Sequence, residues 1–194
     1  MRLFTAVVPS ARALGELGVA VGRLREMPGA DTLRWTGAEG WHYTLAFMGE
    51  VDERLLPELA ERLGRAARRA EPFGLRIRGS GHFGNRALWV GADGGVDQMR
   101  LLAARATAAA RRTGIPVEAH RRYTPHLTVA RGRRDVSLLP FADALSDIES
   151  SPWQATELAL VHSRLPAGGT AGERPRYETV GTWALGAGPV EQPR

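Results

Sequence analysis

Two short stretches carry side chains suited to proton transfer, His42-Tyr43-Thr44-Leu45 and His126-Leu127-Thr128-Val129. Each sits in an apolar, strand-like run, WHYTLAF and PHLTVA. In an extended chain alternate side chains share a face, so each His lies beside its Thr, and Tyr43, Leu45, Leu127 and Val129 point the other way. Two such strands, each burying one face and presenting His and Thr on the other, would form a polar site if brought together. The unperturbed imidazole pKa of about 6.5 lets one ring be neutral and the other protonated near neutral pH, which suits acid/base chemistry at an oxyanion. Thr44 and Thr128 are also ordinary β-branched strand formers, but their hydroxyls could donate to developing negative charge. Two His without a third convergent ligand make a poor zinc site, and the Asp and Glu residues show no ligand spacing. No metal and no cofactor are expected.

The elements that must position these residues follow from periodicity. Residues 2–9 read as a strand ended by Pro9. Ser10 caps a helix in which Leu14, Leu17, Val21 and Leu24 recur at helical spacing to about Met27. Leu33-Arg34-Trp35 reads as a short edge strand and 42–47 as the first His strand. A second helix covers 52–70, and Phe73–Arg78 is a strand with Arg76 and Arg78 on one face. A Gly-rich turn carrying His82-Phe83-Gly84 leads to a strand at 87–90. A third helix at 97–113 precedes the second His strand, 126–131, and two late strands at 155–163 and 177–185 close the chain. Residues 187–194 read as a frayed tail after a single domain spanning 1–186. The two His-x-Thr strands lie 84 residues apart, each in a half containing a long helix, which suggests a duplicated fold.

Composition narrows the function classes. At 194 residues with 43% hydrophobic content, the chain fits one globular domain or two lobes sharing a core. The absence of cysteine excludes thiol catalysis, disulfides and Cys-ligated zinc, and no run approaches the roughly 20 apolar residues of a membrane span, so a soluble cytoplasmic protein is expected. All 26 basic residues are arginine, the formal charge is +5 and the pI about 10.8. Arginine offers bidentate phosphate recognition, yet net charge alone is weak support for a nucleic-acid partner. No Gly-x-Gly-x-x-Gly after a strand and no Walker-type Gly-Lys-Ser/Thr occurs, which argues against dinucleotide and P-loop sites.

With its paired motifs the chain resembles the 2H phosphoesterase superfamily, and within it the RNA 2′,3′-cyclic phosphodiesterases long called 2′-5′ RNA ligases. The resemblance runs almost end to end, through MRLFTAVVP, LRWTGAEGWHYTLAFMGEV, GSGHFGNRALWVG, RRYTPHLTVAR and LALVHSRL with the late Tyr177 strand. It implies a bilobal α+β fold in which two similar antiparallel-sheet lobes with outer helices enclose a central groove. It also implies metal-independent opening of a terminal RNA 2′,3′-cyclic phosphate to a 2′-phosphate, with weak 2′-5′ joining as the reverse reaction. His42 would then be the proton donor and His126 the acceptor, with Thr44 and Thr128 beside them. The residues themselves leave that direction open. The expected partner is RNA with a cyclic phosphate end, tRNA fragments among them, bound by a monomer with no membrane association.

Around this centre Arg131, Arg76, Arg78, Phe83 and Tyr123 are candidate substrate-binding residues. Arg131 has the wrong parity for the groove unless the strand is bulged. Phe83 and Tyr123 are candidates for base stacking. Arg121 and Arg122 are weaker candidates for the RNA backbone. Tyr43 and Trp41 read as core, His82 as a turn residue, and His120 and His162 as structural. Rival readings are a phosphodiesterase for a small cyclic nucleotide or ADP-ribose cyclic phosphate, and a non-catalytic RNA-binding protein.

Overall fold

The computed structural model describes residues 1–117, 123–133, 136–164 and 175–186. Nine strands and four α-helices occur among them. In chain order these are β1 (Arg2–Val7), α1 (Ala11–Leu24), β2 (Arg34–Trp35), β3 (Tyr43–Glu50), α2 (Leu56–Arg68), β4 (Phe73–Phe83), β5 (Ala87–Gly94), α3 (Val96–Arg112), β6 (Leu127–Arg131), α4 (Leu139–Ala144), β7 (Trp153–Ala155), β8 (Glu157–Arg164) and β9 (Arg176–Ala184).

The strands form two antiparallel sheets, one in the order β3-β1-β8-β9 and the other β2-β6-β5-β4-β7. This is the expected bilobal α+β architecture, with one qualification. The lobes are not consecutive halves of the chain, because β8 and β9 return to pair with β1, and β2 crosses to the edge of β6. Each lobe therefore depends on strands from both ends of the sequence.

The three long helices form where apolar spacing predicts. The Ser10 hydroxyl accepts from the Ala13 amide and caps α1, whose Ala13, Leu17, Val21 and Leu24 are buried. In α2 Leu59, Leu63 and Ala67 face inward, and in α3 Met99, Leu102, Ala103 and Ala106 do so. Helix α3 packs against β3, α2 against β9, and α1 and α4 against β4. One contiguous apolar core joins both sheets to these helices. None of the helices among the described residues is long and apolar enough to cross a membrane.

Three local features depart from the sequence reading. The expected turn at 82–84 is the end of a longer β4, because Gly79 adopts φ 68° at a register shift and the strand resumes pairing through Phe83. The turn itself is centred on Gly84, at φ 53°. The two short elements α4 and β7 had no strong periodic signal, being only one to two turns and three residues long. His120, Arg121, Arg122 and the tail 187–194 lie outside the described residues.

Candidate active site

Both His-x-Thr strands open onto one groove of about 700 Å³. His42 and Thr44 reach it from the start of β3 in the first sheet, and His126 and Thr128 from β6 in the second. Tyr43, Leu45, Leu127 and Val129 are buried behind them, as alternation requires.

The alternation then breaks in the same way in both strands. On β3, Thr44 pairs with Ala6 and Ala46 with Thr5, so Leu45 is the extra residue of a bulge. On β6, Thr128 pairs with Trp89 and Ala130 with Leu88, so Val129 is extra. A bulge shifts the parity of everything after it. Leu45-Ala46 and Val129-Ala130 are consequently both buried pairs, and the next side chains, Phe47 and Arg131, swing back into the groove. This is the irregularity that a groove-facing Arg131 requires. It also places Phe47 at the equivalent position of the other lobe, a residue the sequence reading did not select. The signal was the longer repeat, Thr-Leu-Ala-Phe against Thr-Val-Ala-Arg.

The two imidazoles occupy different environments. His42 stacks on Phe4, with ring centroids 4.6 Å apart, and meets the edge of Tyr177 at 5.3 Å. Phe4, Ala6, Ala159 and Val161 form an apolar floor here, with Tyr177 packed against it. Loss of hydration in this setting disfavours the imidazolium and lowers the His42 pKa to about 4. His126 instead has its Nδ1 2.9 Å from the carbonyl oxygen of Thr124. A carbonyl only accepts, so Nδ1 is the protonated nitrogen of that pair and Nε2 is left for other partners. Phe83 meets the His126 ring edge-on at 5.0 Å and leans on Trp89 at 5.5 Å.

Of the other candidates, Phe83, Tyr123 and Arg131 line the groove. The Tyr123 hydroxyl points inward to the Met99 sulfur at 3.6 Å, and burial raises its pKa. Arg76 and Arg78 do not line it, which corrects their assignment. Their face of β4 carries them to Glu149, 2.5 Å from Arg76 Nη1, and to Asp93, 3.1 Å from Arg78 Nη1. Carboxylates 15 and 73 residues away in sequence thus hold both guanidiniums at the surface. His82 is not in the turn but exposed near the end of β4, with its Nδ1 2.9 Å from the Gly84 carbonyl oxygen. His162 is part of β8, where its Nδ1 is buried without a hydrogen-bond partner among the described residues.

Arg86, at the β4–β5 turn, is a groove residue that the sequence reading missed. Its carbonyl accepts from the Gly132 amide at 3.2 Å. A side chain at Gly132 would collide with the Asn85 carbonyl, its Cβ falling 2.3 Å away, so glycine is what lets this turn close on the end of β6. That contact brings Arg86 and Arg131 to the same side of the groove. Arg131 also faces Arg34 across the β2–β6 pair, placing two cations opposite each other with no intervening carboxylate bonded to either among the described residues. No group of three or more His, Asp or Glu side chains among the described residues is arranged to hold a metal ion.

Both the sequence and the fold are similar to those of known proteins. The family profile of the 2′-5′ RNA ligase superfamily matches residues 16–166. An RNA 2′,3′-cyclic phosphodiesterase of Aeropyrum pernix is 31% identical over 174 residues, covering 82% of this chain and 93% of that one. Among solved structures, Escherichia coli LigT complexed with 3′-AMP superposes with a TM-score of 0.74 at 26% identity, covering 95% of this chain and 97% of its own. A protein of Thermus thermophilus gives a TM-score of 0.74 at 25% identity, over 97% and 100% of the two chains.

Proposed function

This chain belongs to the 2′-5′ RNA ligase superfamily, and from that premise we propose that it hydrolyses terminal RNA 2′,3′-cyclic phosphates to 2′-phosphates, acting as a monomer without a metal ion. The observation that carries the reading is the convergence of His42, Thr44, His126 and Thr128 on one groove supplied by a single chain.

In this mechanism His126 takes a proton from water through Nε2, and the water oxygen bonds to phosphorus. The Thr124 carbonyl supports that role, because it holds the Nδ1 proton and leaves the Nε2 lone pair available. The P–O3′ bond breaks, and His42 gives its proton to the departing 3′ oxygen. Thr44 and Thr128 donate to the non-bridging oxygens, where charge accumulates. Arg131 binds the phosphate, which relieves its unfavourable position opposite Arg34. Phe47, Phe83 and Tyr123 offer surfaces to the terminal nucleotide's base and ribose.

The low pKa of His42 gives the substrate a part in its own activation. In the free protein this ring is neutral at physiological pH and cannot act as an acid. A phosphodiester anion entering the groove favours the imidazolium by opposite charge and raises the pKa. Protonation of His42 is thereby coupled to binding. With a 5′-hydroxyl in place of water, the same displacement, His126 taking the nucleophile's proton and His42 protonating the departing 3′ oxygen, would give weak 2′-5′ joining.

The test is turnover of a short RNA ending in a 2′,3′-cyclic phosphate in the presence of EDTA, with identification of the product end. A 2′-phosphate product is expected, and His42→Ala or His126→Ala should each lower the rate by roughly 10²–10⁴. Absence of turnover, or turnover only with added metal, would overturn the mechanism.

A further inference from the structure

Helices α2 and α3 enclose a second depression of about 430 Å³ whose lining is separate from that of the catalytic groove. Its walls are guanidinium groups, from Arg62, Arg65 and Arg69 on the α2 side and Arg105 and Arg112 on α3. Ala66, Ala104 and Ala108 line it between them, and no carboxylate among the described residues does. The small side chains leave a trough with cationic rims.

Two of the five arginines are neutralised on their own helix, Arg62 by Glu58 and Arg65 by Glu61, each at 2.6 Å. Arg105 donates from Nη1 to the backbone carbonyl of Arg69, which holds a guanidinium across the trough without cancelling its charge. Arg69 and Arg112 have no carboxylate partner among the described residues. Helix electrostatics explains part of this, since cations favour the last turn, where Arg65 and Arg112 lie. It does not explain Arg105, two turns before the end of α3. Five guanidiniums against two carboxylates leave a surplus of positive charge at one place, and an anion with repeated charges would complement it.

Arg62 to Arg69, and Arg105 to Arg112, each span seven residues, or about 10 Å of helix. Both walls are thus long enough to meet successive phosphates of one strand. We propose that the α2–α3 trough is a second binding site, which holds the phosphodiester backbone of single-stranded RNA without regard to sequence. A bilayer fits less well, because a flat surface cannot bring its headgroups into a concave trough.

The probe is a fluorescein-labelled oligouridylate ending in a 3′-hydroxyl, titrated by anisotropy over a range of salt concentrations. The double variant Arg69→Glu/Arg112→Glu should weaken binding by about tenfold or more and flatten the log K against log[salt] slope by about 1.4, at about 0.7 per lost phosphate contact. Hydrolysis of a dinucleotide cyclic phosphate should be unchanged. Arg69→Gln/Arg112→Gln, which removes charge without reversing it, should move affinity and slope in the same direction by less. Unchanged affinity and slope in both double variants would overturn the proposal. So would a loss of binding to phosphatidylserine vesicles in these variants with RNA binding intact, which would assign the trough to a membrane. Because the probe carries no cyclic phosphate, its binding is read independently of whether the catalytic proposal holds.

Discussion

The hydroxyl of Tyr43 donates to the carbonyl oxygen of Gly91 at 2.8 Å. Tyr43 separates His42 from Thr44 on β3, and Gly91 lies on β5, the strand that pairs with β6 and its His126-x-Thr128 motif. The ring is fully buried and its hydroxyl pKa is raised by loss of hydration, so it remains a neutral donor. A residue between two groove-facing groups thus ties its own strand to the neighbour of the other.

Tyr43→Phe should therefore lower stability by about 1–3 kcal/mol, the cost of leaving the Gly91 carbonyl without its partner. Because the lost bond joins the two lobes, kcat on the cyclic substrate should also fall, although Tyr43 does not line the groove. Chemical denaturation and steady-state kinetics check both. An unchanged kcat would show that the lobes keep their relation without this bond.

The folded-state pKa of His42, about 4, lies below its ordinary value of 6.5. Between those values the unfolded chain binds more protons, so stability rises with pH there and is lost as pH falls from about 6.5 through 4. Thermal melting should show a declining Tm over that window in the wild type. His42→Gln, which cannot titrate, should decline less. Parallel curves for the two proteins would contradict the burial account.

Arg131→Gln should raise KM for a cyclic-phosphate RNA by roughly tenfold to a hundredfold, the scale of one charge-assisted hydrogen bond. Its effect on kcat should be smaller. Its Tm should stay level or rise, because the change removes a cation facing Arg34. A large drop in Tm with unchanged KM would make Arg131 structural.

Thr5 on β1 is fully buried and its hydroxyl has no hydrogen-bond partner among the described residues. Thr5→Val exchanges that hydroxyl for a methyl group and should stabilise the fold by about 1 kcal/mol. Denaturant melts decide this, and a loss of stability would mean that the hydroxyl has a partner in solution.

The proposed catalytic pair was legible because its signal is local. Strand alternation places His42 with Thr44 and His126 with Thr128 from a few neighbouring residues, and the same period puts Tyr43 and Leu127 behind them. The long helices were legible for the same reason, their buried positions recurring within each segment. The position of Arg131 was half legible, since parity showed that a bulge was needed but not that one exists. Arg76 and Arg78 were misplaced because their partners, Glu149 and Asp93, come from distant parts of the chain.

What the sequence determined by itself was which side chains make up each half-site and the face on which they lie. Only the tertiary structure decided that β8 and β9 return to complete the first lobe, that the two half-sites share a groove, and that their imidazoles differ. Desolvation of His42 comes from Phe4 and from Tyr177, which is 135 residues away, and the arginine trough exists only where α2 meets α3. Alternation is a property of covalent geometry and is written in near neighbours. Burial, electrostatic environment and concavity depend on which remote surfaces pack together.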